Sequence, residues 1–196
     1  MSKLELKFGN HKLGDDTAIL NMGTAVECPS RKLGLCKVVD DGIKCYAEKA
    51  EVQYPNTVPA ARKRQEKYWK TTEASKIATD IIAKIKRRRK TTKYLRFNES
   101  GDFWSQDDIA KLSVIAEYLA LYDVTVYGNS ARADLDFKNA AFLVKGSGHD
   151  KGNNGKSIVI GKTEVAPKGF KVCTGDCRKC NMCKKEDSIN IAFRRH

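Results

Sequence analysis

The chain has 196 residues, of which 41% are hydrophobic and 31% charged, enough for one domain with a real core. No apolar run approaches membrane-spanning length, which excludes a helical membrane protein. The formal net charge is +13 with a pI near 9.4, so nucleic acid or another polyanion is the expected partner class.

The pattern predicts alternating strands and helices. A first strand is expected over 17–25, then a Gly-containing loop with Cys28, Cys36 and Cys45. A short helix is expected over 46–52. Pro55 and Pro59 interrupt the chain, and a helix resumes over 60–70. The next helix, 73–89, has Ala74, Ile77, Ala78, Ile81 and Ile85 as an apolar stripe, with Thr72 as the expected N-cap. A strand over 94–97 follows. Ser105 opens another helix, with Asp107 and Asp108 in its first turn and Ile109, Leu112, Ile115, Ala116 and Leu119 on its buried face. Further strands are expected over 124–127, 141–144, 157–160 and 170–172.

This order implies one α/β domain over 1–196 with a largely parallel sheet. A cysteine-rich segment, 171–185, would pack against it. Parallel crossovers put the loops after the strands on one rim, where chemistry collects. Those loops carry the cysteine triad, Asn98-Glu99-Ser100-Gly101-Asp102, Gly128-Asn129-Ser130-Ala131-Arg132, Gly146-Ser147-Gly148-His149-Asp150 and the last cysteines. Both cysteine groups are therefore expected to converge on that rim.

The seven cysteines fall into two groups only: Cys28, Cys36 and Cys45, and the run Cys173, Cys177, Cys180 and Cys183. An odd count, an opening Met1-Ser2-Lys3 that leads straight into charged sequence, and gaps of two or three residues argue against a disulfide framework. They point instead to reduced thiols in a cytoplasm holding a soft metal or an iron–sulfur cluster. The consecutive C-x3-C-x2-C-x2-C run suits a cluster loop of 4Fe-4S type, and zinc remains an alternative. The C-x7-C-x8-C triad suits a cluster with one open corner. Of the three histidines, His11, His149 and His196, only His149 is a credible extra ligand.

The charge is concentrated. Residues 62–96 hold fourteen Lys or Arg against three Asp or Glu, including the run Lys86-Arg87-Arg88-Arg89-Lys90. Arg87, Arg88, Arg89 and Lys90 are the candidate nucleic-acid contacts.

The stretches Cys28-Pro29-Ser30, Leu33-Gly34-Leu35-Cys36, Lys44-Cys45-Tyr46-Ala47, Arg96-Phe97-Asn98-Glu99-Ser100-Gly101-Asp102-Phe103 and Gly175-Asp176-Cys177-Arg178 resemble the phage gene product 88 family. That resemblance implies a phage-encoded protein acting in the host cytoplasm, with a host protein as a further candidate target. A triad after the first strand, ending in Cys-Tyr-Ala, is similar to the cluster loop of radical S-adenosylmethionine enzymes, although its spacing departs from their C-x3-C-x2-C. The similarity implies a partial (β/α) barrel-like sheet, one or two iron–sulfur clusters, S-adenosylmethionine as a candidate cofactor, and a radical or redox enzyme. Glu99 and Asp102 are then the candidate catalytic acids, and Asn98, Glu99, Ser130 and Arg132 the candidate cofactor contacts. The competing reading is a structural zinc or iron–sulfur staple on a protein that binds nucleic acid.

Overall fold

The computed structural model describes residues 3–10, 12–36 and 45–195; His11, His196 and part of the Cys36–Cys45 loop lie outside them. Eight strands form one sheet. In spatial order they are β1 (Leu6–Phe8), β2 (Thr17–Leu20), β3 (Tyr94–Phe97), β4 (Thr125–Ser130), β5 (Leu143–Ser147), β6 (Lys156–Ile160), β8 (Asn190–Arg194) and β7 (Phe170–Val172). Among the described residues only β1 and β2 pair antiparallel; every other pair is parallel. The architecture is therefore α/β with a mostly parallel mixed sheet, as the alternating pattern requires.

Side-chain alternation divides the sheet into two unlike faces. Ala18, Leu20, Leu95, Phe97, Val126 and Val144 lie on one face, in the main hydrophobic core. Helices α3 (Val58–Thr71), α4 (Ala74–Lys86) and α5 (Gln106–Ala120) cover it. Trp69, Ile77, Ile81, Leu112 and Ile115 are wholly buried there. Each such side chain contributes roughly 1.5–3 kcal/mol. Thr17, Ile19, Tyr94, Arg96, Tyr127 and Lys145 occupy the alternate positions and define a second, more polar face.

Several boundaries differ from the sequence expectation. Thr72 is the C-cap of α3, so Glu73 becomes the N-cap of α4. α3 starts at Val58 because Pro59 fits the first turn, where its missing N–H costs no helical bond. β2 stops at Leu20 because the following residues zip onto the loop after β3. Ser100 N donates to Asn21 Oδ1 at 2.9 Å, Met22 N to Ser100 O at 3.1 Å, and Ser100 Oγ to Gly23 O at 2.9 Å. β1, β8 and the four-residue helix α1 (Pro29–Lys32) are too short to show a period. Helix α2 (Tyr46–Gln53) matches the expected helix within one residue.

The loop zipper depends on Gly101. Its φ is +80°, and a Cβ there would stand 2.6 Å from Gly23 N. Gly101→Ala should therefore destabilise the fold by about 1–3 kcal/mol from backbone conformation alone. Denaturant unfolding checks this, with the midpoint falling at unchanged slope.

Candidate metal centre

The strand-end rim is organised by Asp102, a buried carboxylate that accepts five hydrogen bonds. Ser30 Oγ donates at 2.6 Å, Ser130 Oγ at 2.8 Å, Phe103 N and Ala131 N at 2.9 Å, and Asn98 Nδ2 at 3.0 Å. Ser30 extends this control to the cysteine loop, since Ser30 O accepts from Cys36 N at 3.1 Å while Cys28 O accepts from Arg31 N and Lys32 N. Asp102 thus sets where Cys28 and Cys36 stand. Burial, reinforced by the Asp102 carboxylate, pushes the Cys28 thiol up to about 12.

Cys45 is the N-cap of α2. That helix is fastened by a buried ion pair in which Arg62 donates to Glu51 Oε1 at 2.6 Å and to Ala47 O at 2.9 Å. The same Glu51 oxygen accepts from Ala25 N at 2.8 Å. Tyr46, next to Cys45, donates its hydroxyl to Glu99 O at 2.7 Å and lies in the electrostatic reach of Arg96.

The second cysteine group does not stay on the rim. Cys173 leaves β7 there, with its N–H bonded to Ala192 O at 2.8 Å. β7 and β8 are parallel, so the chain must return to the opposite rim before β8 begins. It does so across the second face of the sheet. Cys177 N donates to Lys12 O at 2.9 Å in the β1–β2 connection, and Asn154 Nδ2 to Lys185 O at 2.9 Å just before β6. The four-cysteine run is this crossover, which corrects the expectation of a single rim carrying both groups.

Beneath the crossover the sheet presents cations. Arg96 on β3 pairs in register with Tyr127 on β4. Arg96 Nε is shut off from water and has no hydrogen-bond partner. Lys145 on β5 is 1% exposed and donates to Asn154 O at 2.6 Å and Ile189 O at 2.7 Å. Lys184, 7% exposed, lies 4.0 Å from the centroid of the Tyr94 ring and donates to Cys177 O at 3.4 Å. Among the described residues, none of the three has a carboxylate within ion-pair distance. Arg96 lies in the electrostatic reach of Tyr46, Tyr127, Cys183, Cys177 and Glu99, Lys145 in that of Cys183 and Asp187, and Lys184 in that of Cys177. Burial still outweighs these cations and lifts the Cys183 thiol to about 11 and Cys177 above its ordinary value.

An enclosed cation costs several kcal/mol unless an anion compensates it, and an arginine cannot shed its proton. Metal-bound thiolates would supply that anion. Gly175 N already donates to Cys173 Sγ at 3.4 Å, a bond that favours thiolate character. No disulfide forms among the described residues. Nor, among them, are any three His, Cys, Asp or Glu side chains gathered tightly enough to ligate one ion. The donor chemistry and the surrounding charge fit a thiolate-bound metal; the sulfurs themselves are not drawn together.

The other sequence candidates fall out differently. Glu99 has one oxygen engaged, accepting from Asn10 Nδ2 at 3.1 Å. Ser130 and Asp102 are bonded to each other, and Arg132 is spent on Asp134 and on the carbonyls of Phe103 and Trp104. Asn98 holds Asp102 through Nδ2 and leaves Oδ1 unpartnered. His149 uses both ring nitrogens: Nδ1 accepts from Lys151 N at 3.2 Å, so Nε2 carries the proton toward Ser130 O at 3.0 Å. The basic run is divided. Arg88 bonds Asp15 O and Thr92 Oγ1 and stacks 4.1 Å from the centroid of Phe8, and Lys90 pairs with Asp15, while Arg87 and Arg89 are exposed. Arg62 and Arg96 are also lost to any nucleic-acid face, being engaged inside the fold.

Sequence reasoning passed over Tyr46, Arg96, Tyr127, Lys145, Lys184 and the Glu51–Arg62 pair. One signal was present: Arg96 and Lys145 are charged residues inside short apolar strands, Tyr-Leu-Arg-Phe and Leu-Val-Lys-Gly-Ser.

Fold and site together define an α/β protein with a rim cysteine triad and a cysteine crossover laid on a cationic sheet face. The family model for gene product 88 matches residues 4–127, and the chain belongs to this phage gene-product family. The match includes Cys28, Cys36, Cys45 and the loop through Asp102 and stops at Tyr127, so the resemblance at 175–178 lies beyond it. No curated protein and no solved structure matches the chain. No helix among the described residues is long and apolar enough to cross a membrane.

Burial lowers the basicity of His149 below its ordinary 6.5 in spite of the Ser130 carbonyl and the Asp102 and Asp150 carboxylates. The unfolded chain therefore binds the proton more tightly, and stability should fall as pH drops below 6.5. Unfolding midpoints measured through that range check this, and His149→Gln should flatten the dependence.

Proposed function

We propose that this is an iron–sulfur protein on an arc of a (β/α) barrel, with β2 to β6 as successive strands of the arc. Cys173, Cys177, Cys180 and Cys183 hold one cluster of 4Fe-4S type over the second face. Cys28, Cys36 and Cys45 hold another at the rim, with one corner open. The observation that supports this reading is the set of three cations, Arg96, Lys145 and Lys184, that have no carboxylate at ion-pair distance among the described residues and lie in the electrostatic reach of Cys177 or Cys183, with the Glu99 and Asp187 carboxylates as weaker neighbours of Arg96 and Lys145. When bound, such centres supply one-electron chemistry and, at the rim, an iron position open to a cofactor such as S-adenosylmethionine.

The chain's own residues divide the remaining work. Asp102 positions Cys28 and Cys36 through Ser30, and its filled oxygens give it a structural task. Glu99 is the acid left to hold an amino group of cofactor or substrate, because Asn10 occupies only Oε1. Ser130, Asn98 and Arg132 support Asp102 and the rim loops more than they reach a ligand. The thiols raised by burial must release protons on metallation, so loading weakens as pH falls. A phage protein of this kind acts in the host cytoplasm, where a host protein is a candidate target.

Anaerobic purification followed by iron, acid-labile sulfide and zinc determination tests the reading. Iron with matching sulfide is expected. Cys177→Ala or Cys183→Ala should remove the crossover centre, and Cys28→Ala or Cys36→Ala the rim centre. Folded protein that is metal-free, or that carries zinc without sulfide, overturns it.

A second reading keeps the cysteines as a zinc or cluster staple and makes the protein a nucleic-acid binder. Exposed Arg87 and Arg89 at the end of α4 favour it. Replacing both with Glu should weaken nucleic-acid binding and lower its salt slope by roughly 1–2, about one per lost phosphate contact. Unchanged binding removes this reading.

A further inference from the structure

Two exposed tyrosines and three cations meet where α4 and α5 end. Val114, Tyr118 and Tyr122 recur every four residues along α5 and the turn that closes it, where Tyr122 N donates to Leu119 O at 3.0 Å. Tyr118 and Tyr122 are 44% and 45% exposed, and Leu121 between them is 78% exposed. They stand apart from the buried stripe of that helix, Ile109, Leu112, Ile115, Ala116 and Leu119. Lys86, at the end of α4, holds its Nζ 4.6 Å from the centroid of the Tyr122 ring. Arg87 and Arg89 follow it and are exposed. Among the described residues Lys86, Arg87 and Arg89 have no carboxylate at ion-pair distance, and the exposed acids Glu117 and Asp123 pair with none of them. The basic segment is anchored through its alternate residues. Arg88 donates to Asp15 O at 2.8 Å and to Thr92 Oγ1 at 2.9 Å, and Lys90 pairs with Asp15. Arg87 and Arg89 are therefore presented from a fixed backbone, which lowers the ordering cost of a contact. The surface lies at the edge where β3 and β4 begin, opposite the edge where β2 leads into the cysteine triad.

We infer that this surface binds single-stranded nucleic acid, with Tyr118 and Tyr122 as platforms for unpaired bases and Lys86, Arg87 and Arg89 neutralising the phosphates. The inference rests on the nucleic-acid reading above and narrows its partner. Cations alone would serve any polyanion, because phosphate neutralisation carries no information about the bases. Exposed aromatic rings beside those cations add a second demand, for flat faces that can stack. A duplex keeps its base faces stacked on one another, so it can satisfy the cations and leave the rings unused. A single strand offers phosphates and base faces together. Stacking is tolerant of sequence, since every base has a flat face.

The test is fluorescence anisotropy of the full-length protein with a labelled mixed-sequence DNA strand, the same strand annealed to its complement, and the matching RNA strand. The single strands should bind more tightly than the duplex, and the tighter of the two identifies the sugar the site accepts. Tyr118→Ala and Tyr122→Ala should each weaken single-strand binding about tenfold at unchanged salt slope, since stacking releases no counterion. Tyr122→Phe, which keeps the ring, should bind as the unmodified protein does. Arg87→Gln should weaken binding to single strand and duplex alike and lower the slope by about one. A duplex bound as tightly as the single strands, or alanine variants that bind them unchanged, overturns the inference; an impaired Arg87→Gln then leaves the nucleic-acid reading intact. An unmodified protein that binds no nucleic acid removes both. Should an alanine variant fail to fold, the unmodified protein is photocrosslinked to a bromouracil-substituted strand. Crosslinks at Tyr118 or Tyr122 support the platform, and their absence there overturns it.

Discussion

Arg96 imposes the constraint around which the rest of the site is arranged. It is a permanent cation planted in the middle of a parallel strand, beside Tyr46 and Tyr127, with its Nε closed off from water and without a hydrogen-bond partner. A parallel strand ordinarily buries apolar side chains on both faces. Here one face follows that rule, with Leu95 and Phe97 under the helices, and the other departs from it with Tyr94 and Arg96. The cysteine crossover covers that second face, and Lys145 and Lys184 repeat the same demand for negative charge. The sheet position and a cysteine run far away in the chain meet on that face, where Arg96 lies in the electrostatic reach of Tyr46, Tyr127, Cys183 and Glu99.

The acids show how chemistry and architecture separate. Asp102 and Glu99 sit three residues apart and read alike in the sequence. Asp102 is closed in by five donors from three strand-end loops, so it holds the rim together and with it the cysteine triad. Glu99 keeps an oxygen in reserve. The difference comes from Gly101, whose positive φ lets the chain fold back against Gly23 and drives Asp102 inward.

Much of the positive charge is structural in the same sense. Arg62 clamps α2 through Glu51, and Arg88 and Lys90 hold the β1–β2 connection through Asp15. What is left on the surface near the end of α4 is narrower than the basic stretch suggests. Net charge read along a chain counts buried and paired cations equally with free ones, and it therefore overstates a nucleic-acid footprint.

The sequence by itself determined the class and the order of the elements. Periodicity marked the buried stripes of α4 and α5, strand 94–97 emerged with its boundaries intact, and alternation of strand and helix implied the parallel sheet. It also marked the cysteines as two groups, because ligand spacing is a local property. Short elements such as β1, α1 and β8 stayed hidden, since three to five residues carry no resolvable period. Tertiary structure alone decided that the last cysteines cross the sheet, because the β7–β8 pairing direction is set by long-range hydrogen bonds. It alone brought Arg96, Tyr127 and Lys145 beneath them, since which face a strand residue occupies, and what covers that face, depends on packing between segments distant in sequence.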